Sequence, residues 1–305
     1  MPLHQYFVDW LTEMTSAGDS EQAIRQRMTQ RARERDPWAH PDVVVADAVA
    51  TGPHGPIPLR TYRPRHGECA RSLLWVHGGG FRNGDLDMPE AHVVSGELSL
   101  RTTAFVVSVG YRLARDGVRY PVPLDDVHAA WSWLRSEHAS LPAALGGASA
   151  GAALALATAL RARDRAEATP AALLLAYPFA HFPVPALDDA TAVEMAGTPA
   201  FARSSPAAVE EMVVNYVGRI SDLPADALPG GARLAELPPT RLVLSEYDDL
   251  RPSGELLERQ LREVDVPVTS HVARGMRHGH LNHVAPLAGI EESIAFLADG
   301  LSALS

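Results

Sequence analysis

The segment Leu145-Gly146-Gly147-Ala148-Ser149-Ala150-Gly151-Ala152-Ala153 sets one serine among small residues, immediately ahead of an Ala/Leu-rich run. A serine hydroxyl attacks well at neutral pH only when a base takes its proton, and that base works best when a buried carboxylate holds it. Both partners occur downstream, in Glu246-Tyr247-Asp248-Asp249-Leu250 and in Gly275-Met276-Arg277-His278-Gly279-His280. We read Ser149 as nucleophile, His278 as base and then acid, and Asp248 as the group that orients the base. Asp249 and Glu246 compete for the acid role, and His280 and His283 for the base. His278 is favoured because Gly279 beside it would let the ring turn toward Ser149. The His278-Gly279-His280 spacing also invites a metal reading, but no companion cysteine or spaced carboxylate cluster supports it. No metal is therefore expected. A second glycine-rich stretch, His77-Gly78-Gly79-Gly80-Phe81, follows the apolar run Ser72–Val76. Glycines after a strand leave backbone N–H groups unshielded, so Gly78 and Gly79, with the Ala150 amide after the nucleophile, are the expected oxyanion hole.

These groups need a scaffold that delivers all of them to one edge. Gly147 and Gly151 lie two residues either side of Ser149, where side chains would collide in a tight turn. This is the sequence form of a nucleophile elbow, with a short strand over Leu141–Leu145 and a helix over Ser149–Ala162. Val43–Val45 and Ile57–Tyr62, separated by the turn-rich Thr51–Pro56, predict a hairpin. Further strands are expected at Ser72–Val76, Ala104–Val109, Ala171–Tyr177, Leu242–Ser245 and Val268–Val272. Helical faces are expected after Asp125-Asp126, whose carboxylates suit a helix start, and over Ser253–Val264 and His283–Leu297. Phe105, Val106, Val107 and Val109 show no regular polar alternation, which suits a strand covered on both faces. Strands alternating with helices point to a mostly parallel sheet with helices on both sides. Ser149, Asp248 and His278 each follow a predicted strand, where such a sheet gathers its active-site loops.

Together these motifs resemble the hormone-sensitive-lipase-like branch of the α/β-hydrolase fold, which includes many bacterial carboxylesterases. The landmarks are His77-Gly78-Gly79-Gly80, Tyr111-Arg112-Leu113-Ala114, Pro123-Leu124-Asp125-Asp126, Gly147-Ala148-Ser149-Ala150-Gly151, Asp248-Asp249-Leu250-Arg251 and Gly275-Met276-Arg277-His278-Gly279. The resemblance implies an α/β-hydrolase core with a helical cap, and cofactor-free hydrolysis of carboxylic esters with short or medium acyl chains. It also implies an acyl-enzyme on Ser149. Five residues depart from the family pattern: Ala148 and Ala152 flank the elbow, Arg115-Asp116 follows Tyr111–Ala114, and His280 stands where an aromatic residue is usual. Amide or thioester hydrolysis with the same triad, and a noncatalytic ligand-binding member of the fold, are the alternatives.

The division expected is an N-terminal cap segment at 1–40, core at 41–180, an inserted cap at 181–237 and the second part of the core at 238–305. Phe7, Trp10, Leu11 and Met14, then Ile24 and Met28, recur at helical spacing. Ser205-Pro206 opens a helix through Tyr216. Phe7, Trp10, Phe81, Phe179, Phe182, Met212 and Tyr216 are candidates for pocket or cap. The 305 residues are 46% hydrophobic, enough for a substantial core. A net charge of -10 with no concentrated basic stretch argues against nucleic acid as a partner. Cys69 is the one cysteine, so no internal disulfide forms. Met1–Trp10 has neither a basic leader nor a continuous apolar run, so a cytoplasmic protein with no membrane span is expected. The partner is then a small-molecule ester, and homodimerisation through a terminal helix or edge strand stays open.

Overall fold

The computed structural model describes residues 2–14, 23, 27, 41–199, 202–283 and 287–304. Ile24 and Met28, which would continue the N-terminal helical pattern, lie outside them.

The chain enters through α1 (Gln5–Met14), which buries Phe7, Trp10, Leu11 and Met14, the residues set at helical spacing. Strands β1 (Val43–Gly52) and β2 (Gly55–Pro64) form the expected hairpin, closing at the Gly52–Gly55 pair. Then follow β3 (Arg71–Val76), α2 (Pro89–Thr102), β4 (Ala104–Val109), α3 (Val122–Glu137), β5 (Ala143–Ala148) and α4 (Ala150–Asp164). The chain continues through β6 (Ala172–Ala176), α5 (Asp189–Met195), α6 (Pro206–Val217), β7 (Thr240–Tyr247), α7 (Arg251–Glu263), β8 (Val268–Arg277) and α8 (Ala288–Ser302). Within the described residues the strands form one eight-stranded sheet in the order β1-β2-β4-β3-β5-β6-β7-β8. Only the β1–β2 and β2–β4 pairings are antiparallel; β4 through β8 run parallel.

The sheet is sealed on both faces. Leu74, Leu145 and Leu175 join Trp131 and the α4 alanines on one side, while Leu73, Trp75 and Leu174 join Val94, Ile294 and Leu297 on the other. This is the α/β-hydrolase fold, and α5 and α6 form its helical cap insertion between β6 and β7. Ser205 caps α6 by accepting from the Ala208 amide, with Pro206 in the first turn.

Several boundaries differ from the sequence pattern. Strand β5 runs on through Gly146 and Gly147 rather than ending at Leu145. A Cβ at Gly146 would sit 2.5 Å from the Leu174 carbonyl oxygen, so the strand is glycine-rich because its neighbours leave no room. Strand β8 continues beyond Val272 to Arg277, tied near its end by the Gly275 amide donating to the Glu246 carboxylate at 2.6 Å. Helix α8 starts at Ala288, past Pro286 in the sequence, rather than at His283. Helix α2 falls in a stretch that the sequence pattern left unassigned. Its buried residues, from Glu90 to Thr102, surround it on most sides, so no amphipathic stripe marks it.

Candidate active site

Strand β5 ends at Ala148 and α4 begins at Ala150, leaving Ser149 alone at the turn with φ 54° and ψ −121°. Such a backbone costs about 1–3 kcal/mol for a non-glycine residue and persists only where the surroundings force it. Here they do. A Cβ at Gly151 would lie 2.3 Å from the carbonyl oxygens of both Val76 and His77, and one at Gly147 would lie 2.6 Å from that of Val76. The Ser149 amide donates to the Ala176 carbonyl at 2.9 Å, pinning the turn to the end of β6.

Ser149 Oγ lies 2.9 Å from His278 Nε2, and His278 Nδ1 lies 2.7 Å from Asp248 Oδ2. With a carboxylate on one side, Nδ1 carries the proton and Nε2 is left to accept from the hydroxyl. Asp248 is 1% exposed, and its other oxygen accepts from the Leu250 amide at 2.8 Å. Burial works against the imidazolium of His278, but the charge and hydrogen bond of Asp248, helped by Glu90, outweigh it. The pKa of His278 is therefore raised above the ordinary histidine value, with Arg277 opposing.

The competing residues are occupied elsewhere. Asp249 takes a two-pronged ion pair from Arg203 of the cap, at 2.7–3.0 Å, and the Ser204 amide at 2.8 Å. Glu246 binds Arg274 at 2.8 Å besides the Gly275 amide. His280 is buried between Ser245 and Ser293, at 3.0 and 2.9 Å, and burial pushes its pKa down to about 3. His283 is ringed edge-on by Tyr6, Phe7 and Trp10 of α1. Among the described residues no group of three or more His, Cys, Asp or Glu side chains is gathered as a metal-ligand set.

The glycine loop needs one correction. Gly78 packs against the elbow, where a Cβ would come within 3.1 Å of the Ser149 Cβ. Its amide, however, donates to Glu90 Oε2 at 2.6 Å and is not available for an oxyanion. Gly79 and Gly80 follow with φ of +111° and +61°, and the turn closes as the Asn83 amide donates to the Gly79 carbonyl at 2.9 Å.

Four of the aromatic pocket candidates, Phe7, Phe81, Phe179 and Tyr216, are fully buried core, with Phe81 stacked on Tyr216 at 3.9 Å. Trp10 lies under the Arg277 guanidinium, 5.1 Å from its ring centre. Phe182 and Met212 are partly buried. Phe182 lines a cavity of about 450 Å³ with Val184, Leu187, Val209 and Leu250, beside the Arg203–Asp249 pair. A larger cavity of about 730 Å³ lies between α1 and the turn after α5, reaching Tyr247. Asp126 is buried and accepts from the Arg112 amide and guanidinium at 2.9 and 2.6 Å, while Asp125 pairs with Arg161 at 2.6 Å. Among the described residues, no helix is long and apolar enough to cross a membrane.

A family model described as the α/β-hydrolase fold matches residues 73–282. Esterase LipI of Mycobacterium tuberculosis is 34% identical, over 91% of this chain and 87% of that protein. The ethyl acetate hydrolase of Pseudomonas putida is 27% identical, over 93% and 90%. An esterase structure from Pyrobaculum calidifontis superposes with a TM-score of 0.81 at 28% identity, covering 99% of this chain and 98% of that one. With a serine, histidine and aspartate linked at one strand-end site, the chain is an ester-hydrolysing enzyme and belongs to the hormone-sensitive-lipase-like esterase branch of the α/β-hydrolase family.

Proposed function

We propose that the protein is a serine carboxylesterase for short- to medium-chain esters, working through an acyl-enzyme. The observation that carries this reading is the hydrogen-bonded line from Ser149 through His278 to the buried Asp248, at 2.9 and 2.7 Å. Ser149 attacks the ester carbonyl as His278 takes its proton, and the same proton passes to the departing alcohol. Water, deprotonated by His278, then frees the acid. The oxyanion is held by the Gly79 and Ala150 amides, with the next amide in the loop, that of Gly80, taking the place of Gly78. Donors fixed before the reaction stabilise the developing charge without reorganising, and losing one costs about 3 kcal/mol.

The acyl range is supported by the name of one relative, ethyl acetate hydrolase. The cap is assigned to 1–40 and 181–237, and the core to 41–180 and 238–305.

The test is the initial rate on p-nitrophenyl esters from acetate to palmitate, for intact protein beside Ser149→Ala. We expect a maximum at four to eight carbons, about ten-fold or more above palmitate, and turnover in Ser149→Ala reduced about 10⁴-fold or more. Undiminished turnover in Ser149→Ala would overturn the nucleophile; a flat or long-chain profile would overturn the acyl range.

A further inference from the structure

Glu90 has no part in the triad, yet it is among the most heavily bonded groups near it. It sits in the first turn of α2, 1% exposed. Among the described residues three donors converge on its carboxylate: the Gly78 amide at 2.6 Å, the Tyr177 hydroxyl at 2.5 Å and the Asn282 side-chain amide at 3.0 Å. Each comes from a different part of the site. Gly78 opens the glycine loop, Tyr177 follows β6 and packs its ring 5.0 Å from that of His278, and Asn282 lies on the turn after His278. The backbone of Glu90 is fixed too: its carbonyl accepts from Trp75 Nε1 at 2.8 Å, and its amide donates to Asn282 Oδ1 at 3.4 Å.

A carboxylate can accept from several donors at once, and a neutral acid would have to turn one oxygen into a donor. All three contacts here are donors to it, which suits the charged form despite the burial that pushes its pKa up. Gln cannot reproduce the pattern. Its NH2 would face either the Gly78 amide or the Tyr177 and Asn282 donors, leaving donors opposed.

We propose that Glu90 is a positioning residue for the acyl-transfer reaction, a charged clamp that draws the Gly78 amide away from the substrate so that the following glycine amides face it. The same clamp ties that loop to Tyr177 and to the turn carrying His278. The proposal rests on the esterase reading above. The charged and titratable groups facing His278 are Asp248, Glu90, Arg277 and His280, with Tyr177 against its ring. Those facing Glu90 are His278, Tyr177 and Tyr111.

The experiment compares wild type, Glu90→Gln, Tyr177→Phe and Ser149→Ala on p-nitrophenyl butyrate, recording kcat, KM, the pH profile of kcat/KM and the thermal midpoint. For Glu90→Gln we expect kcat to fall about 10- to 100-fold with KM within about threefold, because misplaced donors act in the transition state. Its acid limb should move down by about half a pH unit, because a negative charge facing His278 is gone. For Tyr177→Phe we expect kcat to fall about three- to tenfold at unchanged KM. If Glu90→Gln does not fold, Tyr177→Phe decides, and wild-type kcat there overturns the clamp. A folded Glu90→Gln with wild-type kcat and acid limb overturns it as well, while Ser149→Ala remaining inactive shows that the esterase reading stands. Full turnover in Ser149→Ala would instead remove the reading on which the clamp rests.

Discussion

The elbow around Ser149 and the cap segment between β6 and β7 belong to the same site but are held by different forces. At the elbow the contacts are between backbones: Gly147 and Gly151 lie where any Cβ would strike the carbonyls of Val76 or His77. Nothing there can adjust by changing a rotamer, so the serine keeps its left-handed backbone. The cap is attached largely through side chains, with few backbone bonds such as that from the Tyr120 amide to the Tyr216 carbonyl at 2.8 Å. Arg203 reaches Asp249, Tyr120 reaches Asp226, and Tyr216 stacks on Phe81. Such contacts can part and re-form at modest cost, which suits a covering element that must admit substrate. The pairing of Asp249 with the cap, next in sequence to Asp248 of the triad, places the two regimes side by side.

That difference is most easily broken at Gly151. Gly151→Ala puts a methyl 2.3 Å from two carbonyl oxygens, and we expect a loss of at least about 3 kcal/mol in unfolding free energy, read by denaturant titration. The folded fraction should lose about 100-fold in kcat/KM, since a shift near 1 Å at the nucleophile is enough for that. A variant with native stability and turnover would mean that the elbow is not held by backbone contact.

Arg203→Ala probes the cap side. The pair is partly solvated, with Arg203 26% and Asp249 13% exposed, so the expected cost is only about 1 kcal/mol, read as a drop of about 2 °C in thermal midpoint. KM should rise about threefold with kcat nearly unchanged, because the cap binds rather than reacts. An equal loss in kcat would show that this latch sets the triad.

The smallest effect sharpens the boundary between the two. His278 must be neutral to act as base, and its pKa is raised, so kcat/KM should climb with pH through a limb above the ordinary histidine value of 6.5 and level off beyond it. Arg203 is not among the charges facing His278, so Arg203→Ala should leave that limb in place. A limb below 6.5 in the wild type would contradict the assigned surroundings of His278.

Much of the site is readable from the chain itself, because each reactive group stands soon after a run that reads as a strand. Val76, Ala148, Tyr247 and Arg277 end strands, and His77, Ser149, Asp248 and His278 come next. The choice of amides in the glycine loop is not readable that way. Three successive glycines look alike in sequence, and what separates Gly78 from Gly79 is a carboxylate twelve positions on, in a helix without an apolar stripe. Pro89-Glu90 is at most a helix-start signal, and nothing local links it to Tyr177 or Asn282. The aromatic candidates divided for a similar reason: Phe81 and Tyr216 are hydrophobic whether they line a pocket or stack on each other, and only the tertiary packing makes them core. The end of β5 is not readable because glycines usually argue against a strand, whereas here Leu174 and Trp75 leave no room for a side chain at Gly146, nor Val76 and Gly151 for one at Gly147.

The role of Ser149 as the residue that is activated by His278 and carries the acyl group can be checked by titrating the intact protein with diethyl p-nitrophenyl phosphate, following p-nitrophenol release, residual esterase activity and the mass of the Ser149 peptide together. The expected result is one equivalent of p-nitrophenol per chain, activity lost in step with it, and the phosphoryl adduct on Ser149. Inactivation with the adduct on another residue, or a fully modified Ser149 in protein that still hydrolyses ester, would contradict it.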